Sequence, residues 1–334
     1  MRSTMIAVLF LTLIGLPGSG MAQQAPAADT KKTDAAAGTL SIPRPVENWT
    51  SLTDLKSGLE DAQFAVVQHD EQPTFVRDLV RVQWRLADPI DLWIAHPKTP
   101  AKAPVVLYLY NYNDSNDRFR DAGWCQRATE DGFAAVGFVA ALTDYRYKFR
   151  PMRQWFVSEL PESLGASVHD VQLILNYLAS RDDLDMDHVG MFGMGSGGSI
   201  AILAASADPR ITTVDLLDPW GDWPDWLQSS PAVPNEERAK YTTPEFLKSV
   251  ASLDPVKYLP ELKTQHLRLQ QNLSEGITPP VAKERIANAV PDRKELVQYK
   301  SADELFKEWK TTGLSGWIKE QIRSQKAKQV ASNP

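Results

Sequence analysis

Six residues constrain this chain more than any others: Gly193-Met194-Gly195-Ser196-Gly197-Gly198. They stand between an apolar run of strand length, His188–Phe192, and a small-residue helical stretch, Ser199–Ala207. Glycines at this density permit a sharp strand-to-helix turn. They also leave unbonded N–H groups at the helix start, ready for an anion or an oxyanion. A turn of this kind belongs to a chain that alternates strands with helices, and the flanking sequence does so.

Thr74–Arg85 and Ile90–His96 read as an extended pair, split by the turn signal Asp88-Pro89. Pro104–Asn111 is nearly continuous in apolar residues, as expected of a strand buried on both faces. A helix is predicted over Arg118–Asp131 and a strand over Phe133–Val139, with Gly132 between them. Ser167–Ser180 has the clearest helical pattern: Ser167 and Asp170 fit a capping box, and Val168, Val171, Leu175 and Leu178 share one face. Ile211–Leu217, His266–Gln270 and Glu295–Tyr299 read as strands, and Leu305–Arg323 as a closing helix. The fold class is α/β, a doubly wound, mainly parallel sheet with an antiparallel N-terminal edge. One domain over 46–326 with a possible lid insertion at 219–253 is the simplest organisation, followed by a disordered tail at 327–334.

Met1–Ala22 reads as a secretory signal peptide: Arg2, an apolar run Ile6–Leu16, then small residues around Gly20-Met21-Ala22. Residues 23–45 are Ala-, Gln-, Lys- and Asp-rich without periodicity and read as a flexible linker. The mature chain is expected to be exported, periplasmic or secreted, with no membrane attachment after cleavage. A formal net charge of −6 gives no global field for nucleic acid. The single Cys125 cannot form an internal disulfide and reads as a small apolar helix residue. No Cys/His cluster has zinc-ligand spacing. Asp183, Asp185 and Asp187 mimic the start of a calcium loop but lack the glycine and closing glutamate, so they read as a polar loop. No metal or cofactor is expected.

The glycine turn fits two frames. It matches G-x-G-x-x-G, the dinucleotide fingerprint, with Asp218 ending the next strand 20 residues after Gly198. It also matches a nucleophile elbow, G-x-S-x-G-G, with Gly195 where the serine should stand. A dinucleotide turn normally opens its fold, whereas this one follows about four strands.

At these residues the chain resembles the α/β-hydrolase superfamily, in particular dienelactone hydrolases and secreted acetyl-ester hydrolases. The resemblance is carried by SVHDVQLILNYLASRDDLDMDHVGMFGMGSGGS, DPRITTVDLLDPW, DPVKYLPEL and ITPP, within Val76 to Ile322. It implies a serine at the elbow, an acid after a later strand and a histidine after the last strand. Serine is a weak nucleophile, so an imidazole must take its proton and the acid must hold that imidazole in the right tautomer. Carried over, the nucleophile position is Gly195, the acid position Glu275 and the histidine position Glu304. The chain has five histidines, and none follows His266.

The expectation is therefore a non-catalytic relative that binds a small-molecule or glycan ligand or a protein partner. An active ester hydrolase with an atypical site remains the alternative, with a dinucleotide-binding protein behind it. Ser196 is expected to turn onto the emerging helix. Asp218, Trp220 and Trp223, in a run that also holds Trp226, follow a strand end where open α/β sheets bind ligands. They either form a lid or anchor the insertion. Tyr112 lies in the loop Asn111–Asp114, which resembles the family's oxyanion loop without its glycines. Arg146–Arg153 is locally basic and reads as solvated surface.

Overall fold

The computed structural model describes residues 53–56, 63–85, 88–112, 114–148, 155–291 and 294–332. The chain divides into two units, Met1–Pro43 and Arg44–Pro334, and every element below belongs to the second. Met1–Ala22, read above as a signal peptide, and residues 23–45, read as a linker, lie outside the described residues.

In chain order the strands are β1 (Gln63–Glu71), β2 (Phe75–Gln83), β3 (Ile90–Pro97), β4 (Ala103–Leu109), β5 (Ala134–Gly137), β6 (Leu184–Met194), β7 (Ile211–Leu217), β8 (His266–Asn272) and β9 (Glu295–Tyr299). The helices are α1 (Ala122–Thr129), α2 (Tyr145–Lys148), α3 (Leu160–Ala179), α4 (Ser196–Ala207), α5 (Trp223–Ser229), α6 (Asn235–Tyr241), α7 (Pro244–Val250), α8 (Pro280–Ala289), α9 (Ala302–Thr312) and α10 (Gly316–Ser332). One sheet runs β1-β2-β3-β5-β4-β6-β7-β8-β9. Its first three pairings, β1 with β2, β2 with β3 and β3 with β5, are antiparallel. Those from β5 through β9 are parallel. This is the expected doubly wound sheet with an antiparallel N-terminal edge.

β4 shows how sequence assigns the two layers. Val105, Leu107 and Leu109 face a cluster built with α3, α4 and the insertion. Val106 and Tyr108 face α1 and α10, through Phe119, Ala128, Ile318 and Ile322. Successive strand residues point to opposite faces, so a strand buried on both sides, as β4 is, tends to a near-continuous apolar run.

Four expectations are corrected. The helix predicted from Ser167 starts seven residues earlier, at Leu160, with Pro161 in its first turn. Ser167 and Asp170 are therefore interior positions rather than caps. The Ser167 hydroxyl donates to Ser163 O (2.6 Å) and accepts from Ala141 N–H (2.9 Å). Asp170 receives Trp84 Nε1 (3.0 Å), Arg146 Nη1 (2.8 Å) and Arg85 Nη2. Arg146 is accordingly buried rather than solvated, bridging Asp170 to Asp88. The closing helix is two helices, broken where Gly313 takes φ 71°. α10 continues through Ser332, across most of the stretch expected to be a disordered tail. The sequence pattern does not predict β1, α2 or α5 through α8. Among the described residues no helix is long and apolar enough to cross a membrane.

Candidate active site

β6 delivers its C-terminal end to the glycine turn, and the turn has the backbone of a nucleophile elbow. Gly195 sits at φ 56°, ψ −121°, a conformation that side-chain-bearing residues rarely adopt. Its carbonyl accepts N–H groups from Gly198 (3.0 Å), Ser199 (3.2 Å) and Trp220 (3.2 Å), so one oxygen ties the elbow to the β7 loop. Gly197 is required by close approach: a Cβ there would stand 2.2 Å from Leu109 O. The turn therefore packs directly on the end of β4.

The next residues of that strand end decide what the elbow can do. A Cβ on Gly195 would meet Asn111 Oδ1 at 2.2 Å and Asn111 Cγ at 2.6 Å. The Asn111 carboxamide thus occupies the space of a nucleophile side chain. Its Oδ1 also accepts the Ser196 N–H (3.1 Å). That N–H, from the residue after the nucleophile position, is a donor that an elbow would offer to an oxyanion. The N–H of Tyr112, in the loop after β4, donates to Ser196 Oγ (2.7 Å). Both donors are spent inside the protein.

Ser196 is buried and lies on the first turn of α4, as expected. Its hydroxyl is a strut between the Tyr112 amide and Asn111. Tyr112 packs its ring toward Phe156 and Trp155, with centroids 5.4 and 6.0 Å away.

Asp218 follows β7 directly at φ 43° and accepts Asn272 N–H (2.9 Å) through Oδ1. Lys283 Nζ lies 3.6 Å from it and 3.2 Å from Glu275 Oε2. The ammonium is held by the carbonyls of Asn272 (2.5 Å) and Glu275 (2.7 Å). Burial pushes the Asp218 carboxyl up to about 7; Lys283 works against that and Glu275 with it. Glu275 binds the N–H groups of Ile277 and Thr278, capping its own loop. It also borders a hollow of about 290 Å³ shared with Lys283. Lys283 and Asn272 went unnoticed in sequence, since both act through groups that only the fold brings together.

Glu304 does not approach the elbow residues. It is exposed at the third position of α9, where its N–H bonds Ser301 Oγ (3.4 Å) and its carboxylate accepts Lys300 N–H (2.7 Å). This is a helix cap, readable in Ser301-x-x-Glu304. The five histidines are placed elsewhere. His69 bonds Asp78 (2.7 Å), His169 bonds Asp54 O (2.7 Å) and His188 bonds Asp185 (2.9 Å). His96 lies 3.4 Å from Asp183, and His266 opens β8 at the end opposite Asn272.

The aromatic run after Asp218 packs inward. Trp220, Trp223 and Trp226 are buried, with Trp220 and Trp226 centroids 4.6 Å apart and Trp223 edge-on to Trp226 at 5.9 Å. Trp223 Nε1 donates to Leu253 O (3.0 Å) and Asp254 accepts Asp222 and Trp223 N–H groups (2.9 and 3.1 Å). Of the two roles open in sequence, lid or anchor, the rings take the anchor: they fix α5–α7 to the body.

The family model for X-Pro dipeptidyl-peptidase (S15 family) matches residues 87–325. The chain belongs to the S15 family. It therefore falls within the α/β-hydrolase superfamily, as its sheet order and elbow indicate. Among solved structures, the acetyl xylan esterase of Paenibacillus sp. R4 is similar with a TM-score of 0.61 at 17% identity, covering 80% of this chain and 91% of that one. Acetyl xylan esterase 1 of Thermoanaerobacterium sp. JW/SL YS485 gives 0.59 at 15% identity, over 76% and 86%. At these identities the likeness is one of fold. The protein YtaP of Bacillus subtilis (strain 168) is 27% identical over 134 residues, 36% of this chain. The match spans only 44% of that relative's length. In this S15-family member Gly195 stands at the centre of the turn, and the Asn111 carboxamide lies where a Cβ on Gly195 would point.

Proposed function

We propose that this chain is a non-hydrolysing member of its family that binds a small-molecule or glycan ligand, or a protein partner, after export to the periplasm or the exterior. One observation carries the reading: Asn111 fills the nucleophile's space and takes the Ser196 N–H. Acyl transfer needs a nucleophile, a base beside it and unspent donors for the developing oxyanion. Gly195 supplies no nucleophile. The histidines bond elsewhere or lie at far strand ends, and the donors are occupied. Asp218 and Glu275 are engaged by Lys283 and by backbone N–H groups rather than by an imidazole.

The test is turnover and labelling by the full-length exported protein. Activated acetyl esters and X-Pro nitroanilides are expected to be hydrolysed no faster than in buffer, and a serine-directed fluorophosphonate is expected not to label. Labelling abolished by Ser196→Ala would overturn the proposal, as would turnover lost on substitution of Ser196, Asp218 or Glu275. Export is tested by N-terminal sequencing of the protein recovered outside the cytoplasm, with the chain expected to begin at Gln23.

A further inference from the structure

Away from the elbow, a cavity of about 650 Å³ opens between α1 and the turn joining α9 to α10. None of Asn111, Gly195, Ser196 or Asp218 lines it. Tyr108 of β4 is a buried part of the lining, its hydroxyl bonded to Ser315. Trp124 from α1 and Trp309 from α9, both half-buried, add aromatic surface. A concavity of this volume with aromatic lining falls in the range of small-molecule sites.

Its charge is opposite to that of the chain. Arg118, Arg127, Lys310, Lys319 and Arg323 line it, against Glu130 and Asp131. The whole chain carries a net −6. Asp131 is already paired with Arg323. Arg118, Arg127 and Lys310 have no ion-pair partner among the described residues. Arg118 is oriented by stacking over the Tyr110 ring, 4.0 Å from its centroid. Lys319 is buried, with Nζ held by the carbonyls of Arg127 (3.3 Å) and Glu130 (3.2 Å), so its charge is fixed at the wall of the cavity.

We propose that this cavity binds a small organic anion made of a ring body bearing at least two acidic groups, carboxylate or phosphate. The aromatic surface suits a ring. The guanidinium groups suit planar or tetrahedral oxyanions, which they bind in bidentate fashion. A single negative charge would leave most of the lining cations uncompensated, which is why two acidic groups are required. The proposal is independent of the elbow's catalytic state, since the two sites share none of those four residues.

The experiment is calorimetric titration of the full chain with digalacturonate and with fructose 1,6-bisphosphate, using cellobiose as the neutral control. At least one anion is expected to bind at submillimolar concentration and to weaken as salt is raised, because exposed charges are screened. Cellobiose is expected not to displace a bound anion. Binding of digalacturonate alone assigns carboxylates, and binding of the bisphosphate alone assigns phosphates. The variant Arg127→Glu/Lys310→Glu changes two exposed side chains and is expected to keep the wild-type circular dichroism while losing affinity by ~10-fold or more. The proposal is overturned if neither anion binds, if cellobiose displaces a bound anion, or if the variant binds as the wild type does.

Discussion

Asn111 and Gly195 are coupled by contact, so the two positions should not behave independently. Gly195→Ser drives a Cβ to 2.2 Å from Asn111 Oδ1 and also imposes a side chain on a positive φ. It should lower stability by about 1–3 kcal/mol and leave the protein inactive, because no base accompanies the serine. Asn111→Ala removes the obstacle, so Gly195→Ser should cost less in that background. A double-mutant cycle by chemical denaturation should return a favourable coupling of about 1 kcal/mol or more, and strict additivity would contradict the plug. Appreciable esterase activity from Gly195→Ser alone would refute the assignment of the three catalytic positions. Asp218 makes a second prediction at this scale. Its carboxyl is raised from 3.8 to about 7 by burial, so between those values the folded chain holds a proton that the unfolded chain has released. Stability from this residue therefore falls as pH rises through that window, and the cost is complete above pH 7. Asp218→Asn keeps an oxygen for the Asn272 N–H and cannot ionise. Its advantage over the wild type should grow from pH 4 to pH 8 in urea denaturation, and a pH-independent difference would contradict the assignment.

At the scale of elements, α3 shows what happens when a pattern is read without its partners. Asp170 lies fully buried in the middle of the helix and neutralises Arg85 and Arg146, themselves buried. Removing one member of such a cluster leaves uncompensated charge in the interior. Asp170→Ala should therefore destabilise by about 3–5 kcal/mol, read as the free energy of urea unfolding, whereas loss of a helix cap would cost about 1 kcal/mol. The sequence pattern Ser167-x-x-Asp170 allows either reading, and only the approach of Arg85 and Arg146 from other elements separates them. β4 was legible because burial on both faces favours a near-continuous apolar run, and β7 and β9 have the bounds expected although both carry polar residues, β9 being a largely exposed edge strand. β1 was not, since it is an edge strand whose Phe64, Val66 and Val67 are exposed, so its pattern carries no inward face. The elbow is legible through its glycines, with Gly195 at its centre. What Asn111 does there was hidden, because nothing local to Asn111 records that Gly195 leaves room for it.

At the scale of the whole sheet, the two layers are covered unequally. One face carries α3, α4 and the insertion; the other receives α10, which packs Ile318 and Ile322 against the central strands beside α1. Each of those isoleucines is fully buried and contributes about 1.5–3 kcal/mol of transfer free energy. The approach is close enough to need a glycine on β6: a Cβ on Gly190 would stand 2.3 Å from Ile318 Cγ2. Gly190→Ala should therefore push α10 off the sheet or force Ile318 from its rotamer, at about 1–3 kcal/mol. If the cost arises at this contact, Ile318→Ala, which removes the opposing Cγ2 methyl, should cost clearly less in the Gly190→Ala background than the about 2–5 kcal/mol it costs in the wild type. That coupling is the diagnostic. If Ile318→Ala destabilises both backgrounds equally in thermal unfolding, the glycine serves the strand alone, and α10 is held by something other than this contact.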